Sequence, residues 1–207
     1  MVTSQGTVTE LGDNFVDVMI DPTRFPSIES IFNPLDKTGR FLRKYRMVNN
    51  ECQILDERDN IQVPWKSFSK MKTENITRLF LHEDTKHNFS VGDLLGIKSK
   101  CCGNRRNVVD FCGGDDIVLK DLVLSRQSRM VLRCGISNIV VSNVSILREH
   151  PAQCLSTPGG GPQLGQPYDE DIHNVTVDGV RAENTGDDSV ALLNVKTGAI
   201  VKNCNIW

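Results

Sequence analysis

The residues of this chain best suited to chemistry are two successive carboxylates, Asp187 and Asp188, which follow Gly186 between two strand-like runs. Two carboxylates held close and partly shielded from water cannot both ionise cheaply. One then keeps a proton and serves as general acid while its neighbour stays ionised as general base. Hydrolysis of a glycosidic bond needs that division of labour, and the separation of the two carboxyl groups decides inversion or retention. The competing reading is a solvated turn, because Asp and Gly are also common turn formers. A second Gly-Asp-Asp, Gly114-Asp115-Asp116, stands before a long strand-like run, at the other corner of the repeat described below. Metal chemistry is not suggested by the seven cysteines. Cys101 and Cys102 are adjacent, Cys112 lies ten further on, and Cys52, Cys134, Cys154 and Cys204 are scattered, so no pair has C-x-x-C spacing. No metal and no cofactor is expected.

The elements that would carry these carboxylates repeat. Ile117 to Leu124 (IVLKDLVL), Ile139 to Ile146 (IVVSNVSI), Val175 to Ala182 (VTVDGVRA) and Ala199 to Ile206 (AIVKNCNI) share one alternating phrase. Their starts differ by 139−117=22, 175−139=36 and 199−175=24. Alternation at period two with Val and Ile predicts strands. Each phrase breaks phase once, at Asp121, Asn143, Gly179 and Asn203, residue types that tolerate left-handed backbone angles. A corner is predicted at each. A shorter strand phrase precedes each long one: Asn107 to Cys112, Ser128 to Arg133, Ala152 to Ser156 and Ser189 to Asn194. Short strand, turn and bent long strand at this period predict a parallel β-solenoid, and no helix-period crossover interrupts it. The 36-residue interval is accommodated if Pro158 to Glu170 forms an outward loop. Cys112 and Cys134, 134−112=22 apart, would stack on adjacent rungs, either as a disulfide or as buried thiols.

The first hundred residues lack this repeat. Strands are predicted at Thr7 to Leu11, Phe15 to Ile20, Gln53 to Leu55, Ile76 to His82 and Leu94 to Lys98, as a small antiparallel β module. The polar KSFSKMKTEN reads as a separator, and Arg40 to Arg46 (RFLRKYR) as strand or helix with a solvated basic face. The predicted organisation is thus all-β, with this module over 1–100 and a right-handed parallel β-helix over 101–207. Lys+Arg 24 against Asp+Glu 26 provides no basic field for nucleic acid. Charged residues interrupt every apolar run, so no membrane span is expected. Sequons at Asn75, Asn88, Asn143 and Asn174 suit an extracellular setting, although no signal peptide is visible in the chain as given. Trp207 closes a repeat phrase without a polar cap, so the end of the solenoid is expected to be continued or covered.

Residues 174 to 194, NVTVDGVRAENTGDDSVALLN, resemble the strand-turn-strand segment of parallel β-helix glycosidases in the pectin-lyase-like superfamily. Those enzymes include polygalacturonases and α-1,3-galactosidases, in which a Gly-Asp-Asp type turn supplies catalytic acids. The likeness extends loosely from about residue 91 to the C-terminus. It implies a hydrolase of extracellular polysaccharide or oligosaccharide, with Asp187 and Asp188 as the catalytic pair. These families supply a further Asp from the preceding coil, where Leu155-Ser156-Thr157-Pro158-Gly159-Gly160 has Gly instead. Asp169 or Asp171 could substitute from the loop entering the same coil, as could Glu170. The polygalacturonase pattern places its His and Arg/Lys sugar contacts in coils beyond Trp207. His150, His173 and Arg129 are therefore the substrate-binding candidates within this chain. A non-catalytic β-helix that binds glycans or acts as a spacer is the main alternative. A polysaccharide lyase or epimerase would want a Lys or Arg base and often Ca²⁺, for which two carboxylates are too few ligands.

Overall fold

The computed structural model describes residues 3–32, 40–54, 61–71, 75–83, 85–98, 109–125, 130–133, 136–156, 160–165, 171–186 and 188–207. The chain divides into two compact units, Met1–Arg105 with His150–Cys154, and Arg106–Glu149 with Leu155–Trp207.

The first unit carries β1 (Thr3–Gly12), β2 (Phe15–Met19), α1 (Ile28–Ile31), β3 (Phe41–Val48), β4 (Glu51–Gln53), β5 (Val63–Lys70), β6 (Ile76–Leu81) and β7 (Leu94–Lys98). Its antiparallel sheet runs β4-β3-β5-β6-β2-β1-β7, and a further β3–β7 pairing returns the ladder to β3. Six strands thus close on themselves, which leaves few open edges. Core residues stand two apart on β2, β5, β6 and β7, and Val16, Val18, Leu42, Trp65, Leu79, Leu81, Leu95 and Ile97 belong to the core. Each such side chain contributes roughly 1.5–3 kcal/mol of burial.

Two sequence expectations fail here. The first five residues of the polar separator, Lys66 to Lys70, belong to β5, because Val63 and Trp65 anchor the strand inward while Lys66 and Lys70 face out. The basic run is strand, yet Arg40 and Lys44 are buried. The Arg40 guanidinium lies 4.5 Å from the centre of the Phe32 ring and donates to the Lys66 carbonyl, and Lys44 pairs with Asp93 at 2.8 Å. A cation can be buried when its charge finds partners and its stem packs on apolar surface. Among the described residues no helix is long and apolar enough to cross a membrane.

The second unit is built from parallel strands: β8 (Val109–Cys112), β9 (Val118–Leu124), β10 (Met130–Arg133), β11 (Ser137–Ile146), β12 (Pro162–Leu164), β13 (Ile172–Asp178), β14 (Arg181–Ala182), β15 (Ala191–Leu192), β16 (Val195–Lys202) and β17 (Asn205–Ile206). One line of pairing runs β15-β12-β10-β8. A second joins β9, β11, β13 and β16, and the end of β11 continues into β14 and β17. The registers Val140↔Val118, Ile139↔Val175 and Val175↔Ala199 reproduce the sequence intervals of 140−118=22, 175−139=36 and 199−175=24.

The predicted corners are present. Asp121, Asn143, Gly179 and Asn203 all have positive φ, at 57°, 50°, 70° and 54°. In β11 the buried residues are Ile139 and Val141 before Asn143 and Val144 and Ile146 after it, so one left-handed residue shifts the inward phase by one. A second row of corners escaped the sequence reading: Asp116 (59°), Asn138 (55°), Asn174 (55°) and Gly198 (69°). Side chains link both rows from rung to rung. Asn138 Nδ2 donates to Asp116 Oδ1 at 2.9 Å and Asn174 Nδ2 to Asn138 Oδ1 at 3.0 Å. At the other corner Asn143 Nδ2 donates to Asp121 Oδ1 at 2.6 Å. Two sequon asparagines, Asn143 and Asn174, thus have a structural reason to be Asn.

The long interval is organised differently from its sequence reading. Ala152 to Ser156 is not a strand of the ladder, because Cys52 N–H donates to the Pro151 carbonyl at 2.9 Å and Gln5 Nε2 to the Ala152 carbonyl at 3.0 Å. Its place is taken by β12, inside the segment expected to loop outward. Pro162 opens that strand, the position where a missing N–H costs least. The parallel register also sets Arg133, not Cys134, opposite Cys112; Cys134 itself lies outside the described residues.

Candidate active site

The Gly-Asp-Asp turn leaves β14 and leads into β15. Its frame is the rung beneath it, built from Ser156 and Gly160–Leu164. Ser156 N–H donates to the Asn184 carbonyl at 3.1 Å, Gly161 N–H to the Asp188 carbonyl at 3.0 Å, and Leu164 pairs with Leu192. Close approach sets Gly160 against Asp188 and Gly161 against Ser189, so the register is constant, with 188−160=28, 189−161=28 and 192−164=28. Gly160 therefore lies in register with Asp188, where the sequence resemblance placed a glycine in lieu of an acid.

That glycine has a steric cause. A Cβ at Gly160 would stand 2.1 Å from the Asp188 carbonyl oxygen, and one at Gly161 would stand 1.9 Å from that of Ser189. At Gly165, where φ is +82°, the same atom would meet the Leu193 carbonyl oxygen at 1.8 Å. The glycine-rich stretch that reads as a loop is glycine-rich because the following rung's backbone lies directly against it. No carboxylate can be added at residue 160 without moving the turn.

The turn is also closed at its ends. Thr185 Oγ1 and Ser189 Oγ lie 2.9 Å apart and share a hydrogen bond, Gly186 is buried, and Asp188 is exposed. A carboxylate exposed on a backbone fixed from both sides can meet a ligand with little reorganisation. Asp187 lies outside the described residues, as do Asp169, Glu170 and Arg129.

The other candidates are dispersed. Asp171 precedes β13 and pairs with Lys196 at 3.7 Å, both exposed. Ile172 N–H donates to the Asn194 carbonyl at 3.0 Å, so Asp171 belongs at the corner that follows β15, whereas Asp188 precedes that strand. At about 3.3 Å per residue, the 194−188=6 steps between those corners extend to as much as ~20 Å. Paired glycosidase carboxylates stand roughly 5–9.5 Å apart. His173 is half-buried on β13, with Nδ1 2.9 Å from Thr197 Oγ1 on the next rung. His150 belongs to the segment grouped with the first unit, where its Nδ1 accepts from Ala152 N–H at 3.0 Å and shapes a turn.

Missed by the sequence reading were the supporting residues: Thr185 and Ser189, which tie the turn, and Gly160 and Gly161, which seat it. The signal for the glycines was their position 28 residues before Asp188 and Ser189, visible only once the register is known. No protein-family model matches this chain, and no curated protein matches it.

Proposed function

We propose that the second unit belongs to a right-handed parallel β-helix of the pectin-lyase-like type, and that it hydrolyses glycosidic bonds of an extracellular polysaccharide or oligosaccharide. Parallel pairing at intervals of 22, 36 and 24 residues, with a left-handed residue at each corner, supports the helical winding. One observation carries the catalytic reading: Asp188 is exposed on a turn whose backbone is held by Gly161 and whose ends are tied by Thr185 and Ser189. In this reading Asp188 and Asp187 divide the work, one protonating the glycosidic oxygen as the bond to the anomeric carbon breaks and the other directing water to that carbon.

A second reading, a glycan-binding β-helix without catalysis, is favoured by the packing at Gly160, which leaves no room for an acid at that position. A panel of oligosaccharides separates the two. Hydrolysis by the parent chain that falls about 10²–10⁴-fold in Asp188→Asn and in Asp187→Asn supports the hydrolase. Full activity in both variants refutes the assignment. Saturable glycan binding without product from any substrate establishes the second reading.

A further inference from the structure

A pair of cysteines in the first unit forms a site of a different kind, and it does not rest on the hydrolase reading. Cys52, in the middle of β4, and Cys154, at the end of the segment His150–Cys154, are 154−52=102 residues apart in sequence and each 1% exposed. Their Sγ atoms stand 3.0 Å apart. A disulfide has S–S of roughly 2.03–2.05 Å, so about 1 Å of movement separates contact from bond.

The backbone around the pair is held from several directions. Cys52 N–H donates to the Pro151 carbonyl at 2.9 Å, which lays β4 against the incoming segment. The Gln5 side chain grips that segment from β1, donating through Nε2 to the Ala152 carbonyl at 3.0 Å and accepting from Cys154 N–H at 2.7 Å. Tyr45 and Gly96 complete the wall. A Cβ at Gly96 would stand 2.7 Å from the Tyr45 ring and 3.1 Å from Cys154 Cβ, so a glycine there lets the Cys154 side chain lie close over β7. The two sulfurs are therefore presented to each other by fixed backbone rather than by flexible loops.

We propose that Cys52 and Cys154 are a disulfide-forming pair, which on oxidation staples the β3–β4 hairpin to the segment that leaves the second unit's chain path and returns to it. The oxidant is a low-molecular-weight disulfide such as oxidised glutathione. The thiolate of one cysteine attacks a glutathione sulfur, the glutathione S–S bond breaks, and one glutathione thiolate leaves and takes up a proton. The second cysteine, as its thiolate, attacks the protein sulfur of the mixed disulfide and expels the other glutathione. In balance, two protein S–H bonds are lost, one protein S–S bond is formed, and two electrons and two protons reduce one oxidised glutathione to two reduced molecules. Both sulfurs are buried, so exchange takes place during folding or on local opening. The closed ring spans about half the chain, and a cross-link restricts the unfolded state more when its loop is long.

The test uses the full chain refolded in a buffer of reduced and oxidised glutathione. Remaining thiols are alkylated with N-ethylmaleimide, the protein is digested without reduction, and the peptides are mapped by mass spectrometry. The expected product joins the peptides containing Cys52 and Cys154, two hydrogens lighter than their sum. A variant with the other five cysteines changed to Ser should give the same joined product and lose several degrees of melting temperature on addition of reductant. Cys52→Ala/Cys154→Ala in that background should show no such loss. Alkylation of both Cys52 and Cys154 in folded chain after oxidation overturns the proposal, as does either one joined to a different cysteine.

Discussion

The left-handed corner at Asn143 offers the most direct test of how the second unit is held together. Asn143 has φ 50° and donates from Nδ2 to Asp121 Oδ1 at 2.6 Å, with both residues exposed. Alanine at this position loses that hydrogen bond, a net cost of about 0.5–1.5 kcal/mol. It also places an unassisted Cβ in left-handed backbone, which adds about 1–2 kcal/mol. Glycine loses the same bond but adopts the backbone angle freely, with a smaller entropic cost of about 0.5–1 kcal/mol. Asn143→Ala should therefore destabilise the rung by ~1.5–3.5 kcal/mol and Asn143→Gly by less. At 1.4 kcal/mol per decade, alanine raises the population of the opened state about 10- to 300-fold. Amide hydrogen exchange of peptides covering β11 and β13 reads that population directly, without requiring the two units to unfold as one. Equal protection in the alanine and glycine variants, or faster exchange in the glycine variant, would refute a left-handed corner at this residue.

Gly160→Ala, whose Cβ would stand 2.1 Å from the Asp188 carbonyl oxygen, should cost about 1–3 kcal/mol in urea unfolding and should lower any hydrolysis that depends on Asp188. Gly179→Asn should stay within about 1 kcal/mol of the parent in the same assay, because Asn143 and Asn203 adopt left-handed backbone at the corresponding corners and a Cβ at Gly179 has only ordinary contacts at 3.7 Å and beyond. Asp17→Ala should cost ~2–3 kcal/mol, since Arg78 would lose two hydrogen bonds at 2.7 and 2.8 Å but keep some access to water. Burial holds the His87 imidazolium below its ordinary value of 6.5, so the unfolded chain binds that proton more readily. Its contribution to stability is complete above pH 6.5 and is lost as pH falls through that value to the folded-state pKa; thermal melts of His87→Gln across this window should lack that portion of the slope.

The parts of the fold legible in the sequence were those governed by local pattern. Val and Ile at every second position, broken at Asp121, Asn143, Gly179 and Asn203, carried strand, register and corner together, because one left-handed residue flips the side-chain phase wherever it occurs. The second row of corners was hidden, since Asp116, Asn138 and Asn174 stand at strand beginnings, where a polar residue carries no phase information. Ala152 to Ser156 was misread for the opposite reason. Gln153 to Ser156 are buried in succession rather than alternately, and the partners of Ala152 and Cys154 are Gln5 and Cys52, more than a hundred residues earlier. Burial of Arg40 and Lys44 was likewise illegible, because alternation along the strand does not show that the ring of Phe32 covers Arg40 or that the carboxylate of Asp93, 93−44=49 residues on, meets Lys44. In the site, the acidic turn was visible as a motif, whereas its seating depends on a 28-residue offset between rungs that composition cannot specify.

A plain connecting turn and a catalytic one make different demands on the residues around them. A connection needs Gly and Asp for their conformational range, and its neighbours are free to carry side chains and to vary in distance. Around Asp188 the neighbours are constrained: Gly160 and Gly161 have no room for a Cβ, and the Thr185 and Ser189 hydroxyls bind each other across the turn. Fixing a residue's backbone costs about 1–2 kcal/mol of conformational entropy. A carboxylate that must meet a glycosidic oxygen at a set distance gains from having that cost met during folding rather than at substrate binding. The same packing leaves no room for an acid at residue 160. If the pair is catalytic, its two members cannot substitute for one another. Asp187→Asn and Asp188→Asn should then fail at different steps, with bond cleavage of an activated aryl glycoside, whose leaving group needs no proton, surviving only in the variant that lacks the acid.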